Sequence, residues 1–302
     1  MNIQRIAAFS QGSEGGNPAG VVLLKEAAST EEMARIAAEI GYSETAFAHA
    51  QDDTEHAWRV RYFSPGSEVP FCGHATIALG AALGQRNGAG AYSLELNDAT
   101  ITVHAETTAE TMAASLASPP TRSRSLTPEE HRDAMALFGL QDDDLDQRLA
   151  PAHIHGGADH IVLPLKKRTQ LAAMQYDLER GRTMMRRHGI VTIMLVFIND
   201  ARSFVARNAF ASGGVLEDPA TGAAAAAFAG YLRDMDWPHG GSFTIRQGED
   251  MGSPSLIEVS LDGTRGRQYA LQAPHGRLIL TEPTGHQSSR CLLLDQSAAV
   301  VA

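Results

Sequence analysis

The sequence has little cysteine, no long apolar run and no excess of positive charge. Only Cys72 and Cys291 among its 302 residues are cysteines, too few for a disulfide framework or a four-cysteine zinc site. Lys and Arg total 25 against 35 Asp and Glu, a formal net charge of −10. A general nucleic-acid or membrane-surface binder would need a basic face, so the sequence disfavours both classes.

Hydrophobic segments are short throughout the chain. The longest strongly apolar run, 190–198, is far shorter than the roughly 20 residues of a membrane helix, and it predicts a buried strand. The first ten residues contain neither a long apolar core nor a cleavage-like site, so we expect no signal peptide. Reduced thiols in a cytoplasmic protein are the simplest expectation. With 43% hydrophobic residues the composition is globular, and about 150 residues per domain predicts two domains.

Two stretches about half the chain apart share one pattern. Each has a strand, a loop rich in Pro and Gly, and a helix of small residues without charge in its first turns, with Gly73 and Gly222 at matching points. We interpret the pattern as an internal duplication; two unrelated buried helices are the alternative. The expected parts are a first half over 1–117, a linker rich in Pro, Ser and Arg over 118–127, a second half over 128–283, and a tail over 284–302 that could pack back on the first half.

Two other helix starts have recognisable caps. Thr30 is the expected N-cap of a helix over 31–40 that ends at a left-handed Gly41. Thr127, followed by Pro128, is the expected start of a second helix.

The two small-residue helices are candidate binding elements. A helix N-terminus presents unpaired N–H groups and about half a positive charge. Gly73 with His74, and Gly222 with Ala223, could therefore form a cradle for a carboxylate or an enolate-like intermediate. Tight helix packing without a ligand is the alternative.

Three polar residues near these elements are candidates for proton chemistry. Glu44 lies near the start of an otherwise apolar strand, where a carboxylate costs free energy unless it is exposed, hydrogen-bonded or poised to react; an exposed strand end is the alternative. His74 stands at a helix start, where an acid–base role and a structural role are both open. Asp218 precedes the second helix, as an acid beside the cradle or as a simple N-cap.

Metal and nucleotide chemistry lack their usual signals. His153, His155 and His160 in HIHGGADH have only Asp159 as a nearby acidic partner, so we predict no metal site there. The sequence contains no phosphate-binding loop, dinucleotide fingerprint, zinc-protease motif or hydrolase elbow. Cys72 is interpreted as a small buried residue.

Five segments together resemble the PhzF-like phenazine-biosynthesis isomerase family, within the diaminopimelate-epimerase fold. They are GNPAGVV (16–22), SETAF (43–47), YFSPGSEVPFCGHAT (62–76), GVLEDPATGAA (214–224) and QGEDMGSPS (247–255). They span most of the chain, in the order found in the family.

The resemblance implies an α/β (α+β) fold of two pseudo-symmetric halves. Each half would be a curved, mostly antiparallel sheet wrapped round a central helix, with the active site in the cleft between the halves. It also implies a homodimer, a small carboxylate substrate and no cofactor or metal. The best-known reaction of the family isomerises trans-2,3-dihydro-3-hydroxyanthranilate.

By position in the motifs, the resemblance also implies residue roles. Glu44 would be the catalytic acid–base, with His74 and Asp218 as its supporting polar residues. Substrate would be bound by Ser43, Gly73, Gly222 and Ala223. Two alternatives stay open. One is an epimerase or racemase of a small amino or hydroxy acid that uses Glu44 and Asp218 as opposed bases. The other is a non-catalytic ligand-binding homologue, because the family often has Ser where this chain has Ala223, and Arg where it has Ser253.

Overall fold

The computed structural model describes residues 3–10, 14–108, 112–261, 270–273 and 277–278. Within these ranges the chain forms mixed α/β structure. The strands are β1 Ile3–Ala8, β2 Asn17–Leu24, β3 Thr45–Ala50, β4 Ala57–Phe63, β5 Glu68–Val69, β6 Gly90–Glu95, β7 Thr100–Thr107, β8 Met112–Ala117, β9 Arg122–Ser125, β10 Ala152–His155, β11 Asp159–Leu165, β12 Thr192–Asp200, β13 Ser203–Ala209, β14 Glu217–Asp218, β15 Ser242–Gln247, β16 Ser255–Ser260, β17 Ala270–Ala273 and β18 Arg277–Leu278. The helices are α1 Thr30–Ile40, α2 Gly73–Asn87, α3 Pro128–Phe138, α4 Arg168–Ala172, α5 Leu178–Arg187 and α6 Gly222–Asp234.

The chain divides into two compact units. One contains Met1–Ala117 with the described residues from Gln272 onward, and the other contains Ser118–Leu271. Residues 118–127 include β9, which pairs antiparallel with β10, so this segment is part of the second unit's sheet and is more than the linker that the sequence predicts. The predicted tail, 284–302, lies outside the described residues.

The first unit is a sheet that curls round α2. β1 pairs antiparallel with β2, β2 pairs parallel with β3, and β3 pairs antiparallel with β4. β4 pairs antiparallel with the short β5 and parallel with β6, and β6, β7 and β8 then form an antiparallel meander. Helix α2 packs against β1, β2, β3, β6, β7 and β8. Its small residues permit this approach: a Cβ on Gly80 would lie 2.5 Å from Cγ2 of Val103.

The second unit repeats this pairing order. β10 pairs antiparallel with β11, β11 pairs parallel with β12, and β12 pairs antiparallel with β13. β13 then pairs antiparallel with the short β14 and parallel with β15, which pairs antiparallel with β16. Helix α6 packs against β9, β10, β11 and β16. The predicted fold of two similar halves, each with a curved sheet round a central helix, is confirmed.

The repeat extends to single positions. Phe63 pairs with Glu68 at the last residue of β4, and Ala209 pairs with Glu217 at the last residue of β13. In both units the central helix begins four residues after the short strand's second residue. Strand pairing therefore assigns a counterpart in one unit to each site residue of the other.

The predicted start of α3 and the predicted C-terminus of α1 are confirmed, but the predicted N-cap of α1 is wrong. Thr127 and Glu130 form a capping box at α3, and Gly41 ends α1 with a φ of 73°. The N-cap of α1 is Ser29, whose Oγ accepts a hydrogen bond from the Glu32 N–H at 3.2 Å, and Thr30 is the first helical residue. Ser is a better N-cap than Thr, which agrees with the position of Ser29.

The apolar run 190–198 supplies most of β12, with the buried positions that its composition predicts. None of the helices in the described parts of the chain is long and apolar enough to cross a membrane.

Candidate functional site

The two central helices begin differently from the other long helices. At α1, α3 and α5 the side chains of Ser29, Thr127 and Asp177 accept a hydrogen bond from a first-turn N–H. At α2 and α6 the N-cap residues, Cys72 and Thr221, make no such side-chain bond, and neither helix has an acidic residue in its first turn. The partial positive charge of these N-termini is therefore not neutralised by the helix's own cap.

Glu44 and His74 meet at the start of α2. Glu44 directly precedes β3, and its backbone carbonyl accepts a hydrogen bond from the Gly20 N–H at 3.2 Å. Its Oε2 lies 3.4 Å from Nε2 of His74, and the two side chains are only 15% and 8% exposed. Of the two placements that the sequence left open for Glu44, the structure therefore has the enclosed carboxylate and not the exposed strand end.

Both ring nitrogens of His74 have polar neighbours. Ser43 Oγ lies 3.4 Å from Nε2, and Cys72 Sγ lies 3.3 Å from Nδ1. Cys72 has intermediate exposure as a residue, while in the group with Glu44 and His74 it is buried, so its interpretation as a small buried residue stays a prediction. The first unit thus brings Ser43, Glu44, Gly73 and His74 together and adds Cys72 to them.

A chain of hydrogen bonds through Thr76 and Tyr62 holds the backbone at the start of α2. Thr76 Oγ1 donates to the Cys72 carbonyl at 2.7 Å, and the Tyr62 hydroxyl lies 2.6 Å from Thr76 Oγ1. Because the Thr76 hydroxyl already donates its hydrogen to the Cys72 carbonyl, the Tyr62 hydroxyl must be the donor of the second bond. Burial holds the pKa of Tyr62 far above its usual value, so Tyr62 stays a neutral phenol.

Asp218 occupies the corresponding region of the second unit. It lies on β14 with 9% exposure, and its Oδ2 accepts a hydrogen bond from Thr221 Oγ1 at 2.5 Å. The N-cap of α6 is Thr221, so the simple N-cap interpretation of Asp218 is wrong. Gly222 and Ala223 follow as the first residues of α6.

Gln247 holds this arrangement together. Its Nε2 donates to the Asp218 backbone carbonyl at 2.6 Å and to Thr221 Oγ1 at 3.1 Å, while its Oε1 accepts from Asn208 Nδ2 at 3.0 Å. Gly248 follows with a φ of +79°, and a Cβ there would lie 2.2 Å from the Ser253 carbonyl. Only glycine fits that position.

The network continues to a fully buried histidine. Thr192 Oγ1 donates to Asn208 Oδ1 at 3.1 Å, so Thr192 must accept from His160 Nδ1, 2.8 Å away. Burial lowers the pKa of His160 to about 3, and its Nε2 is buried without a partner. His160 is therefore a neutral imidazole with its proton on Nδ1. Sequence reasoning missed Asn208 and Gln247; their one signal was the QG pair at 247–248.

The histidine-rich segment of the second unit is a cluster of ion pairs. His153 Nε2 and His155 Nδ1 lie 3.1 Å and 3.0 Å from Asp159 Oδ1. Arg124 lies 2.7 Å from His153 Nδ1, and Arg122 lies 3.5 Å from Asp159. Two guanidinium groups at these distances oppose a further cation. The absence of a metal and the predicted cleft between the halves stay predictions.

Comparisons with known proteins agree with the fold and the motifs. A sequence model of a family described as "Phenazine biosynthesis-like protein" (PhzC-PhzF) matches residues 6–273. A relative from Deinococcus radiodurans, named an uncharacterized isomerase, is 33% identical over 88% of this chain and 89% of its own. The trans-2,3-dihydro-3-hydroxyanthranilate isomerase of Pseudomonas aeruginosa is 28% identical over 88% of this chain and 92% of its own.

A solved structure extends the likeness to the whole fold. The phenazine biosynthesis protein of the PhzF family from Bacillus anthracis superposes with a TM-score of 0.76 at 21% identity, covering 93% of this chain and 100% of that one. The match of the family model over most of the chain, together with relatives named isomerases, leads to one assignment: this chain belongs to the phenazine biosynthesis-like (PhzF) family of isomerases.

Proposed function

We propose that the protein moves a proton within a small cyclic or conjugated carboxylate, without a cofactor, and that Glu44 carries the proton. Trans-2,3-dihydro-3-hydroxyanthranilate, the substrate named for the Pseudomonas aeruginosa relative, is the first candidate. The observation that carries the proposal is the enclosed Glu44 carboxylate, 3.4 Å from His74 at the start of α2.

Glu44 is suited to abstract and return a proton. It is held at its backbone and nearly enclosed, but its carboxylate has no Arg or Lys ion pair among the described residues. A carboxylate paired with a guanidinium would be a weaker base. Glu44 would take a proton from an activated carbon and return it elsewhere on the same conjugated system, while His74 holds the carboxylate in place. General acid–base catalysis of this kind contributes about 10²–10⁴-fold.

The helix starts would bind the substrate's negative charge. The N-caps of α2 and α6 leave their first turns without a side-chain cap, and N–H groups at a helix start favour a carboxylate or a developing oxyanion. We assign substrate binding to Ser43 and Gly73 in the first unit and to Gly222 and Ala223 in the second, with Asp218 as a supporting polar group.

Counterpart positions favour one proton carrier over two. Strand pairing makes Thr192 the counterpart of Glu44, and Val69 the counterpart of Asp218. A two-base epimerase built on a duplicated fold would have its bases at matching positions, as would a two-thiol racemase. Here Cys72 is matched by Thr221, so neither a second carboxylate nor a second thiol stands at a matching position.

The test is hydrogen exchange into substrate in deuterium oxide. Wild-type protein is expected to incorporate deuterium into trans-2,3-dihydro-3-hydroxyanthranilate and to shift its double bonds, followed by NMR. Glu44→Gln keeps the shape and removes the base, so turnover should fall by about 10²–10⁴-fold. Glu39→Gln, on the exposed surface of α1, is the matched control and should keep wild-type turnover. An unchanged exchange rate in Glu44→Gln would refute the role.

The same assay separates the two alternatives. An epimerase using Glu44 and Asp218 as opposed bases would invert one carbon without moving a double bond, which chiral chromatography detects. A non-catalytic homologue is motivated by Ala223 and Ser253; it would be stabilised against heat by cyclic carboxylates and would turn over none of them. Either result would overturn the isomerase proposal for the compound tested.

We also propose a cytoplasmic homodimer, since the resemblance to the family implies that assembly and the composition favours that location.

A further inference from the structure

Three side chains that bind zinc-type ions meet at the start of α2. Glu44, Cys72 and His74 each offer one ligand atom, and these atoms lie within 4.8 Å of one another. Carboxylate, thiolate and imidazole are the three ligand classes that Zn²⁺ uses in proteins. Glu44 and His74 are 15% and 8% exposed, so an ion there would be largely shielded from competing water.

The distances fit one imidazole nitrogen as the shared ligand. From His74 Nε2, Glu44 Oε2 lies at 3.4 Å and Cys72 Sγ at 3.9 Å. Around a tetrahedral zinc, bond lengths of about 2.0 Å to N and O and about 2.3 Å to S put N and O about 3.3 Å apart, and N and S about 3.5 Å apart. The two edges that meet at His74 thus agree within a few tenths of an ångström, and the third, between Glu44 and Cys72, is at most 4.8 Å.

The local charge also favours a cation. Among the described residues, no Arg or Lys is ion-paired with Glu44 or His74, whereas the histidine cluster of the second unit holds Arg124 within 2.7 Å of His153. Of the two groups, only the one at α2 combines a soft sulfur ligand with an absence of competing guanidinium groups at these two ligands.

We propose that Glu44, Cys72 and His74 reversibly bind one zinc-type divalent ion, with a water or small anion as the fourth ligand. On binding, the S–H bond of Cys72 breaks, a metal–sulfur bond forms, and the proton goes to solvent. The ion is an inhibitor and not a cofactor, because it takes up the carboxylate that carries the proton. Binding is measured without substrate, so it stands or falls independently of the proposed function; only the inhibition rests on it.

Cobalt(II) is the probe, because a thiolate ligand gives it a near-ultraviolet charge-transfer absorption and tetrahedral geometry gives it intense visible bands. Titration of the full chain with Co²⁺ is expected to produce both signals with one equivalent, and Zn²⁺ should abolish them. Cys72→Ser should remove the charge-transfer band and weaken Zn²⁺ binding by more than the roughly 10–100-fold typical of losing an outer-shell partner.

The chain supplies its own controls. Cys291→Ala removes the other cysteine, and His153→Ala disrupts the histidine cluster; both should keep the signals. Glu44→Gln is a second variant that does not depend on the folding of Cys72→Ser: it should keep the charge-transfer band and bind Zn²⁺ more weakly. The proposal is overturned by a titration without a charge-transfer band, by a band that Cys291→Ala removes, or by unchanged Zn²⁺ affinity in both Cys72→Ser and Glu44→Gln.

Discussion

The starts of α2 and α6 have the same backbone frame and opposite chemistry. Strand pairing and helix starts match four pairs of positions, the residue of the first unit being given first: Glu44 and Thr192, Val69 and Asp218, Cys72 and Thr221, His74 and Ala223. In each of these four pairs one residue has an ionisable side chain and its counterpart has a neutral one. The duplication therefore supplies two equivalent frames, and substitution has made them complementary.

The two starts also differ in how firmly their polar groups are held. In the first unit Glu44 Oε2 and His74 Nε2 are 3.4 Å apart. In the second unit Asp218 and Thr221 are tied through Gln247 to Asn208 by bonds of 2.5–3.1 Å. The polar groups at the start of α6 are therefore held by more and shorter hydrogen bonds than Glu44 and His74 at the start of α2.

The largest expected difference concerns a matched ion pair. Arg207 on β13 pairs with Glu217 on β14, with side-chain exposures of 11% and 6%; its counterpart, Arg61 with Glu68, has 24% and 25%. Breaking a buried pair costs about 3–5 kcal/mol, and a more exposed one about 1 kcal/mol or less. Urea unfolding of Arg207→Ala and Arg61→Ala should show this order, and equal losses would mean that the two units hold their short strands equally.

The second expected effect comes from giving the second unit the residue that the first unit has at the matching position. Strand pairing matches Gln247 with Leu96 of the first unit. Gln247→Leu leaves the Asn208 amide and the Asp218 carbonyl without this partner in a buried site, and each loss costs about 1–3 kcal/mol. The free energy of unfolding should fall by more than about 2 kcal/mol. Gln51→Leu, at an exposed position, should change it by about 0.5 kcal/mol or less; a similar small change in Gln247→Leu would show that the network is not structural.

The sequence was enough to predict the duplicated fold and the candidate residues at the start of α2. It was not enough to predict the hydrogen-bond network at the start of α6. Small residues at α2 and α6 and the capping box at α3 are local signals, readable from adjacent residues. β9 escaped notice because its RSRS sequence is polar on both faces and takes its place from pairing with β10. Gln247 and Asp218 are 29 residues apart, so only the folded sheet brings the amide to that carbonyl. Likewise, Glu44 could be singled out, but its contact with His74 depends on strand order.

The smallest expected effect depends on pH and concerns a buried group that only the second unit has. His160 corresponds to Ala19 of the first unit by strand pairing. Burial lowers its pKa to about 3 in the folded protein, against an ordinary value of 6.5 for histidine. Below pH 6.5 His160 is therefore protonated in the unfolded chain but stays neutral in the folded chain. The free energy of unfolding consequently falls as the pH falls.

Between pH 6.5 and 5 this protonation of His160 should cost about 2 kcal/mol. Buried carboxylates do not obscure this effect of His160. Groups such as Glu130 and Asp146 have lowered pKa values, so their contribution to stability is lost only at lower pH. Burial also lowers the pKa of His239, so the informative quantity is the difference between variants. Urea unfolding at both pH values should show a smaller acid loss in His160→Gln than in wild type, and an unchanged one in His104→Gln, an exposed position on β7. An acid loss in His160→Gln equal to that of wild type would mean that the second unit's fixed network does not depend on a neutral imidazole.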